Sequence, residues 1–465
     1  MKALPLKEIL AVIDGEVIAG SSEFEIIDVK TSSPGLRNGT LFFHTKKGLT
    51  IDQNFNRYKK RVAIVTDKKI DLDQLNDNVT LITVDNSVNA LASFTSYYRG
   101  LFTIPVVGIT GTAGKTTTKE MLAHILRGEQ NVQCTYKSMN GIVLNLKYLL
   151  GINEDTDVAV FEMGVSYPGN IRKSGAVFKP SIGMITNIGT AHLETCKTLE
   201  RYIGAKGEML EALDYKGQLL LNSDDENIKK IDLHPFKGQV YYFGQKSECA
   251  YRISQIEYAA EKMVFQLHVK GHSSKRVYVP GLGEQCVYNA AAAIAAAHLT
   301  GMDLSSCIER IGSFKQMERH VSVERGLNRA TIIDDTWNSN PSSAYAALKV
   351  LQKIAENKKS VAVFGKLQRL GAKQHEEHVK LGARMKELGI SCLITIGKDA
   401  QDIGDAAIQA GIAQANVFNV LSAEELQEKL LSITDENTVV LLKMSLDKMD
   451  QSYRRQIMTI KSTEN

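Results

Sequence analysis

The stretch Val107-Gly-Ile-Thr-Gly-Thr-Ala-Gly-Lys-Thr-Thr-Thr118 constrains this chain more than any other. It follows a short apolar run, Ile104-Pro-Val-Val-Gly-Ile109, and leads into a helical pattern from Thr117 to Arg127. A strand, a glycine loop and a helix in that order make an anion cradle. Backbone N–H groups of the loop and helix start point at a phosphate, and the helix dipole adds to the attraction. In such a cradle Lys115 reaches the β and γ phosphates and the Thr116 hydroxyl ligates Mg²⁺. The glycines stand at 108, 111 and 114, whereas the first glycine of the generic pattern would fall at Ile109, which marks a particular subgroup of these loops. The competing reading, a tight turn with a chance Gly-Lys-Thr, fits the strand–loop–helix setting poorly.

A chain of 465 residues is too long for one ordinary core and suggests about three domains at roughly 150 residues each. Residues 1–102 interleave short strand-like pieces (Phe24–Val29, Thr40–Phe43) with helical patterns such as Ser87 to Arg99, and read as a small α/β domain. Residues 103–315 hold the phosphate loop, buried-strand candidates Asp157–Glu162 and Ile182–Asn187, a more polar β-rich section from about 217 to 280, and an Ala-rich helix from Asn289 to Leu299. Apolar strands separated by helices imply a mostly parallel sheet covered on both faces. From about 316 the alternation restarts, with strands expected at Thr331–Asp335, Ser360–Gly365, Cys392–Gly397 and Thr438–Lys443, so residues 316–465 read as a second, Rossmann-like doubly wound sheet. Linkers are expected near 100–104 and 312–317.

The charge balance, 56 basic against 52 acidic residues, is too slight and too dispersed to argue for nucleic acid. The basic clusters Arg57 to Arg61 and Lys358-Lys359 read as solvated faces. Six scattered cysteines without a CxxC pair indicate neither a disulfide framework nor a zinc site, and point to reduced thiols in a cytoplasm. The amino-terminal residues read as an amphipathic helix followed by a strand, not as a signal peptide. No run of about 18 apolar residues suggests a membrane span. A monomer acting on small molecules is expected.

The segment Gly111-Thr-x-Gly-Lys-Thr-Thr117 resembles the ATP loop of Mur ligases and folylpolyglutamate synthetases. Glu162-Met-Gly-x-x-x-Pro-Gly169 is similar to the second-strand motif of the MurF type, which adds D-alanyl-D-alanine to the UDP-muramoyl tripeptide. The series continues in order through Thr186-Asn-Ile-Gly-x-Ala-His-Leu-Glu194, Ala205-Lys-Gly-Glu208, Asn222-Ser-Asp-Asp225, Asn289-Ala-Ala-Ala and Ile333-Asp-Asp-Thr-Trp-Asn-x-Asn-Pro341. The resemblance spans essentially all three domains and implies an ATP-dependent ligase that joins a carboxylate to an amine through an acyl phosphate, in peptidoglycan precursor synthesis.

That chemistry needs positioning and charge neutralisation more than covalent help. The resemblance gives Gly111, Thr112, Gly114, Lys115, Thr116 and Thr117 to ATP, and Lys115 the task of neutralising phosphate charge. Thr116 and Glu162 would hold one Mg²⁺, and His192 with Lys206 a second. Lys206 aligns with a lysine carbamylated in the family, and a carbamate offers a hard cation an anionic oxygen. Taken alone, His192 reads as a structural histidine and Lys206 as a surface salt-bridging lysine. Asn289 would lie near the adenine, or would cap a helix starting there. Arg319 would reach into the ATP site and Asp335 would face the same cleft; an interdomain salt bridge is the alternative for each.

Departures from the family pattern cluster outside the ATP chemistry. The first-domain Asp-Ser-Arg reads Thr31-Ser-Ser33 although Gly39-Thr-Leu-Phe-Phe43 is kept, and a His-Asn reads Gln285-Cys286. Glu318 replaces a glycine, the acidic loop after a third-domain strand becomes Gly365-Lys-Leu-Gln-Arg-Leu-Gly371, and Lys-Gly-Ser-Arg becomes Lys443-Met-Ser-Leu446. Three function classes therefore compete: a MurF-like ligase, a divergent ligase joining another acid and amine, and a non-ligating ATP-binding protein. Intact Lys115, Glu162, His192 and Lys206 argue against the last. A generic P-loop kinase would leave the second doubly wound domain without a role.

Overall fold

The computed structural model describes residues 1–32, 35–45, 61–70 and 75–461. Ser33 and the basic residues Arg57 to Lys60 lie outside them. Arg61, Lys358 and Lys359 are exposed, as their cluster reading expects. Two compact units emerge: residues 1–106, 129–161 and 173–180 form the first, and 107–128, 162–172 and 181–465 the second.

In the first unit an amphipathic helix, Leu6–Ile13, precedes the strand Glu16–Ala19, the order expected from the amino-terminal pattern. A five-stranded sheet runs Glu16–Ala19, Val79–Thr83, Val62–Thr66, Thr40–Phe43, Asp28–Lys30 across its width, antiparallel in the first pair and parallel thereafter. Phe42, Val62, Ile64, Val79 and Leu81 close one core of this sheet. The helix Ser87–Gly100 starts where the Asn86 side chain accepts from Val88 and Asn89 N–H, a cap that satisfies two otherwise orphaned donors. Its last turn buries Arg99. That guanidinium donates to the carbonyls of Phe102 and Phe178 at 2.6 and 2.7 Å, and more weakly to Ile104 and Lys179.

In the second unit the phosphate-loop strand Val106–Thr110 pairs in parallel with Ile182–Ile185, and Gln218–Asn222, Gln239–Gly244 and Tyr251–Ala259 continue the parallel run. Two antiparallel strands, Lys262–Val269 and Lys275–Pro280, end it, so the sheet is mixed rather than wholly parallel. The carboxyl-terminal sheet runs Ser322–Arg325, Thr331–Asp335, Thr438–Lys443, Lys359–Phe364, Cys392–Ile396, Val417–Val420, antiparallel only in its first pair. Its inner strands are buried apolar runs, as parallel strands covered on both faces must be. Among the described residues no helix is long and apolar enough to cross a membrane, and all six cysteines are free thiols.

Candidate active site

Gly114, at φ 77°, precedes the helix Lys115–Leu126, so Lys115 and Thr116 occupy its first turn, two residues earlier than the sequence pattern suggests. A Cβ on Gly114 would lie 2.4 Å from Asn289 Oδ1, and one on Gly111 2.0 Å from Thr186 Oγ1. The loop is thus shaped by close approach on both sides. Asn187 braces its centre, accepting from Ala113 N–H and donating to Ala113 C=O, both at 2.9 Å. Thr112 donates its N–H to the Asn187 carbonyl, and its Oγ1 lies 3.2 Å from the Tyr202 hydroxyl.

Glu162 closes the strand Val158–Glu162. Met163 N–H donates to Ile109 C=O and Thr110 Oγ1 to Met163 C=O, which fixes the buried Glu162 carboxylate beside the helix start. Thr116 Oγ1 donates to Glu162 Oε2 at 2.9 Å. Lys115 Nζ bonds the carbonyls of Gly111 and Thr112, and desolvation pulls its pKa down against the opposing pull of Glu162. Thr117 is buried in the same turn.

Lys206 lies in the helix Leu199–Gly207 and is buried, not the surface salt-bridging lysine of the competing reading. Its Nζ donates to Thr110 Oγ1 at 3.1 Å and Gly111 C=O at 2.9 Å. Burial, then the neighbouring Lys115, push its pKa well below the usual lysine range, which favours the uncharged amine. Tyr202, one turn earlier, lies with its ring under Lys206 Nζ and stacks on His192. Glu208 accepts from Gly169 and Arg172 N–H, tying together two of the sequence motifs.

The His192 imidazole is held neutral, its pKa pushed down to about 3 by burial and then by Arg369, Lys206 and Lys115. Its Nε2 is taken by Arg369 Nη1 at 3.2 Å. Arg369 comes from the third-domain loop 365–371; only its departure from an acidic pattern marked it in the sequence.

A cavity of about 400 Å³ opens beside the loop. Gly114, Thr117, Asn187, Asp224, Tyr288 and Asn289 line one wall, and Gln316, His320, Asp335, Ser342, Tyr345 and Lys349 the other. Asn289 sits inside the helix Glu284–Leu299, which Gly283 precedes, so the reading of Asn289 as a helix cap is overturned. Its Oδ1 instead accepts from Thr118 Oγ1 at 3.2 Å. Cys286, one of the departures, also lines the cavity, and burial pushes its thiol up to about 12.

Asp335 faces the cavity and pairs with buried Lys443 at 2.6 Å, a bond within the carboxyl-terminal sheet rather than between domains. Arg319 is held by Thr336 Oγ1, Thr336 C=O and Asp447, stacks on Trp337, and is not among the residues lining the cavity. The structure therefore brings Lys115, Thr116, Glu162, His192 and Lys206 together, sets Asn289 and Asp335 on the cavity, and leaves Arg319 engaged in its own domain.

Among the described residues no group of three or more His, Cys, Asp or Glu side chains converges as a metal site. The Thr116–Glu162 oxygen pair does suit one hard divalent cation that completes its shell with substrate phosphates and water. The uncharged, buried Lys206 amine suits carbamate formation. His192 Nε2 is engaged by the Arg369 guanidinium.

The Mur ligase middle domain model matches residues 109–297, and the Mur ligase glutamate ligase domain model residues 317–446. A UDP-N-acetylmuramoyl-tripeptide--D-alanyl-D-alanine ligase of Synechocystis sp. is 28% identical over 360 residues, covering 76% of this chain and 74% of the relative. Among solved structures, MurF from Acinetobacter baumannii superposes with a TM-score of 0.83 at 23% identity, over 98% of this chain and 99% of that one. MurF ligase from Thermotoga maritima, solved with ADP, gives 0.76 at 23% identity over 93% and 97%. Fold and phosphate loop together are those of an ATP-dependent ligase that forms peptide bonds. Its three-domain α/β plan, a central sheet domain flanked by two smaller ones, is shared with these structures. The chain belongs to the Mur ligase superfamily.

Proposed function

We propose that the chain adds D-alanyl-D-alanine to UDP-N-acetylmuramoyl-tripeptide, the reaction named for its curated relatives. On this reading residues 1–102 receive the acid, 103–315 the ATP and 316–465 the amine. A carboxylate oxygen of the acid attacks the γ-phosphorus; the bond to the β–γ bridging oxygen breaks and its electron pair leaves on ADP. The amine nitrogen then attacks the acyl-phosphate carbonyl, inorganic phosphate leaves, and the amine's surplus proton passes to solvent. Lys115 neutralises the phosphate oxygens during the first step. Thr116 and Glu162 would hold a Mg²⁺ that supplies further charge neutralisation when bound. The neutral Lys206 amine would combine with CO₂, forming the N–C bond and releasing one proton to solvent, which turns an uncharged amine into an anionic ligand for a second ion. The observation carrying this reading is the 2.9 Å contact of Thr116 Oγ1 with Glu162 Oε2 beneath the loop lysine.

A second reading keeps the chemistry and changes the substrates. Leu446 stands where the family has an arginine, and here it is packed in the carboxyl-terminal core, where it can offer an incoming carboxylate nothing. Lys366, in the place of a family acid, pairs with Asp399 at 2.8 Å. Phosphate release from ATP with Mg²⁺ and bicarbonate decides between them, with UDP-muramoyl tripeptide and D-alanyl-D-alanine added together and singly. Release that requires both, with the matching amide by mass spectrometry, is the expected result. Turnover stimulated by neither compound, in protein that binds ATP, moves the assignment to another acid and amine.

A further inference from the structure

We propose that Arg369 is a phosphoryl-binding residue: its guanidinium, delivered from the third-domain loop, supplies at the His192 edge of the site a positive charge that grips the γ-phosphoryl group of ATP. The inference rests on the reading of this site as one that uses ATP, and adds to it a residue that the sequence motifs do not contain.

The loop is seated closely. Leu193 N–H donates to Arg369 C=O at 3.0 Å, and a Cβ on Gly371, at φ 56°, would stand 3.1 Å from both Cα and N of Glu194. Arg369 itself adopts φ 61°, a left-handed conformation that the surrounding contacts must enforce. This places one guanidinium N–H on His192 Nε2 at 3.2 Å. A guanidinium carries five N–H donors in a rigid fork, so the bond to His192 orients the group and leaves other donors for phosphate oxygens. Among the described residues the Arg369 guanidinium forms no ion pair. Its field acts on Lys115 as well as on His192, so Arg369 and the phosphate-loop lysine repel one another. A bound polyanion would relieve that repulsion.

The arrangement also gives the loop's departure from an acidic pattern a role. An acidic side chain at 369 would set a carboxylate against the phosphates, so the charge reversal in the loop has a recipient. Arg319, meanwhile, is committed to Thr336 and Asp447. Arg369 stands where a third-domain cation is needed.

Calorimetric titration of the full-length protein with Mg²⁺·AMP-PNP and with Mg²⁺·ADP tests this, in wild type, R369A and R369K. R369A is expected to bind AMP-PNP about tenfold more weakly, the scale of one lost charge-assisted contact, and ADP unchanged. R369K should recover part of the AMP-PNP affinity, and thermal melts should show all three folded alike. Equal AMP-PNP affinity in the three proteins overturns the proposal. So does an equal loss of both nucleotides, which would assign Arg369 to loop docking alone. Neither acid nor amine is present in this titration. Its failure is therefore distinct from a failed amide-forming assay, which would sink the substrate reading and leave Arg369 untouched.

Discussion

His320 stacks on Trp337 in the cavity wall, and its Nδ1 lies 2.8 Å from the Glu318 carbonyl. Burial is the largest cause lowering its pKa in the folded protein below the ordinary value near 6.5. The unfolded chain then binds the extra proton more readily, so stability rises with pH through this window. The stabilisation is whole above the unfolded value and is lost as pH falls toward the lowered one. H320Q should therefore lose less stability than wild type between pH 7.5 and 5.5, read from urea midpoints; parallel losses would refute it. At this scale the sequence was most informative where chemistry fixes residue type. Lys115 and Thr116 could be named from the phosphate loop, whose chemistry admits few substitutes, whereas Glu162 and Lys206 were named through the family resemblance. Arg369 and Tyr202 could not, since their roles arise from contacts with His192 that only the folded chain creates.

The phosphate loop shows why local pattern sufficed for the element and failed for its edges. Apolar strand, glycines and helix were legible, yet the helix begins at Lys115 because Gly114 accepts a left-handed turn. The Ala-rich helix begins at Glu284, where Gly281 and Gly283 with positive φ end the preceding strand region. The strands Ser322–Arg325 and Val417–Val420 escaped notice as edge strands that are short and only partly buried, with little apolar signal. Gly114 offers the sharpest test of the loop. G114A combines a strained φ with a 2.4 Å approach to Asn289. It should cost about 1–2 kcal/mol of stability and weaken ADP binding by about tenfold or more. A variant that melts and binds ADP as wild type does would show that the close approach relaxes freely.

On the scale of the molecule, the β/α alternation announced both large sheets, and the resemblance put Asp335 on the cleft, while Gln316, His320, Tyr345 and Lys349, which join it in the cavity wall, had no signal in the sequence. The buried Lys443–Asp335 pair anchors that wall, with Lys443 also donating to Asn338 C=O. Breaking one half of a buried pair strands the other charge. D335A should cost about 3–5 kcal/mol in denaturant unfolding, and D335A with K443M should recover much of it. A loss in the double variant as large as in the single one would mean the pair's charges are not what the wall depends on. Arg99 illustrates a different kind of anchor. All of its partners are main-chain carbonyls, which every amino acid carries. Evolution can thus rewrite the side chains at 102, 104, 178 and 179 within the limits of packing, while the arginine alone carries the memory of the joint.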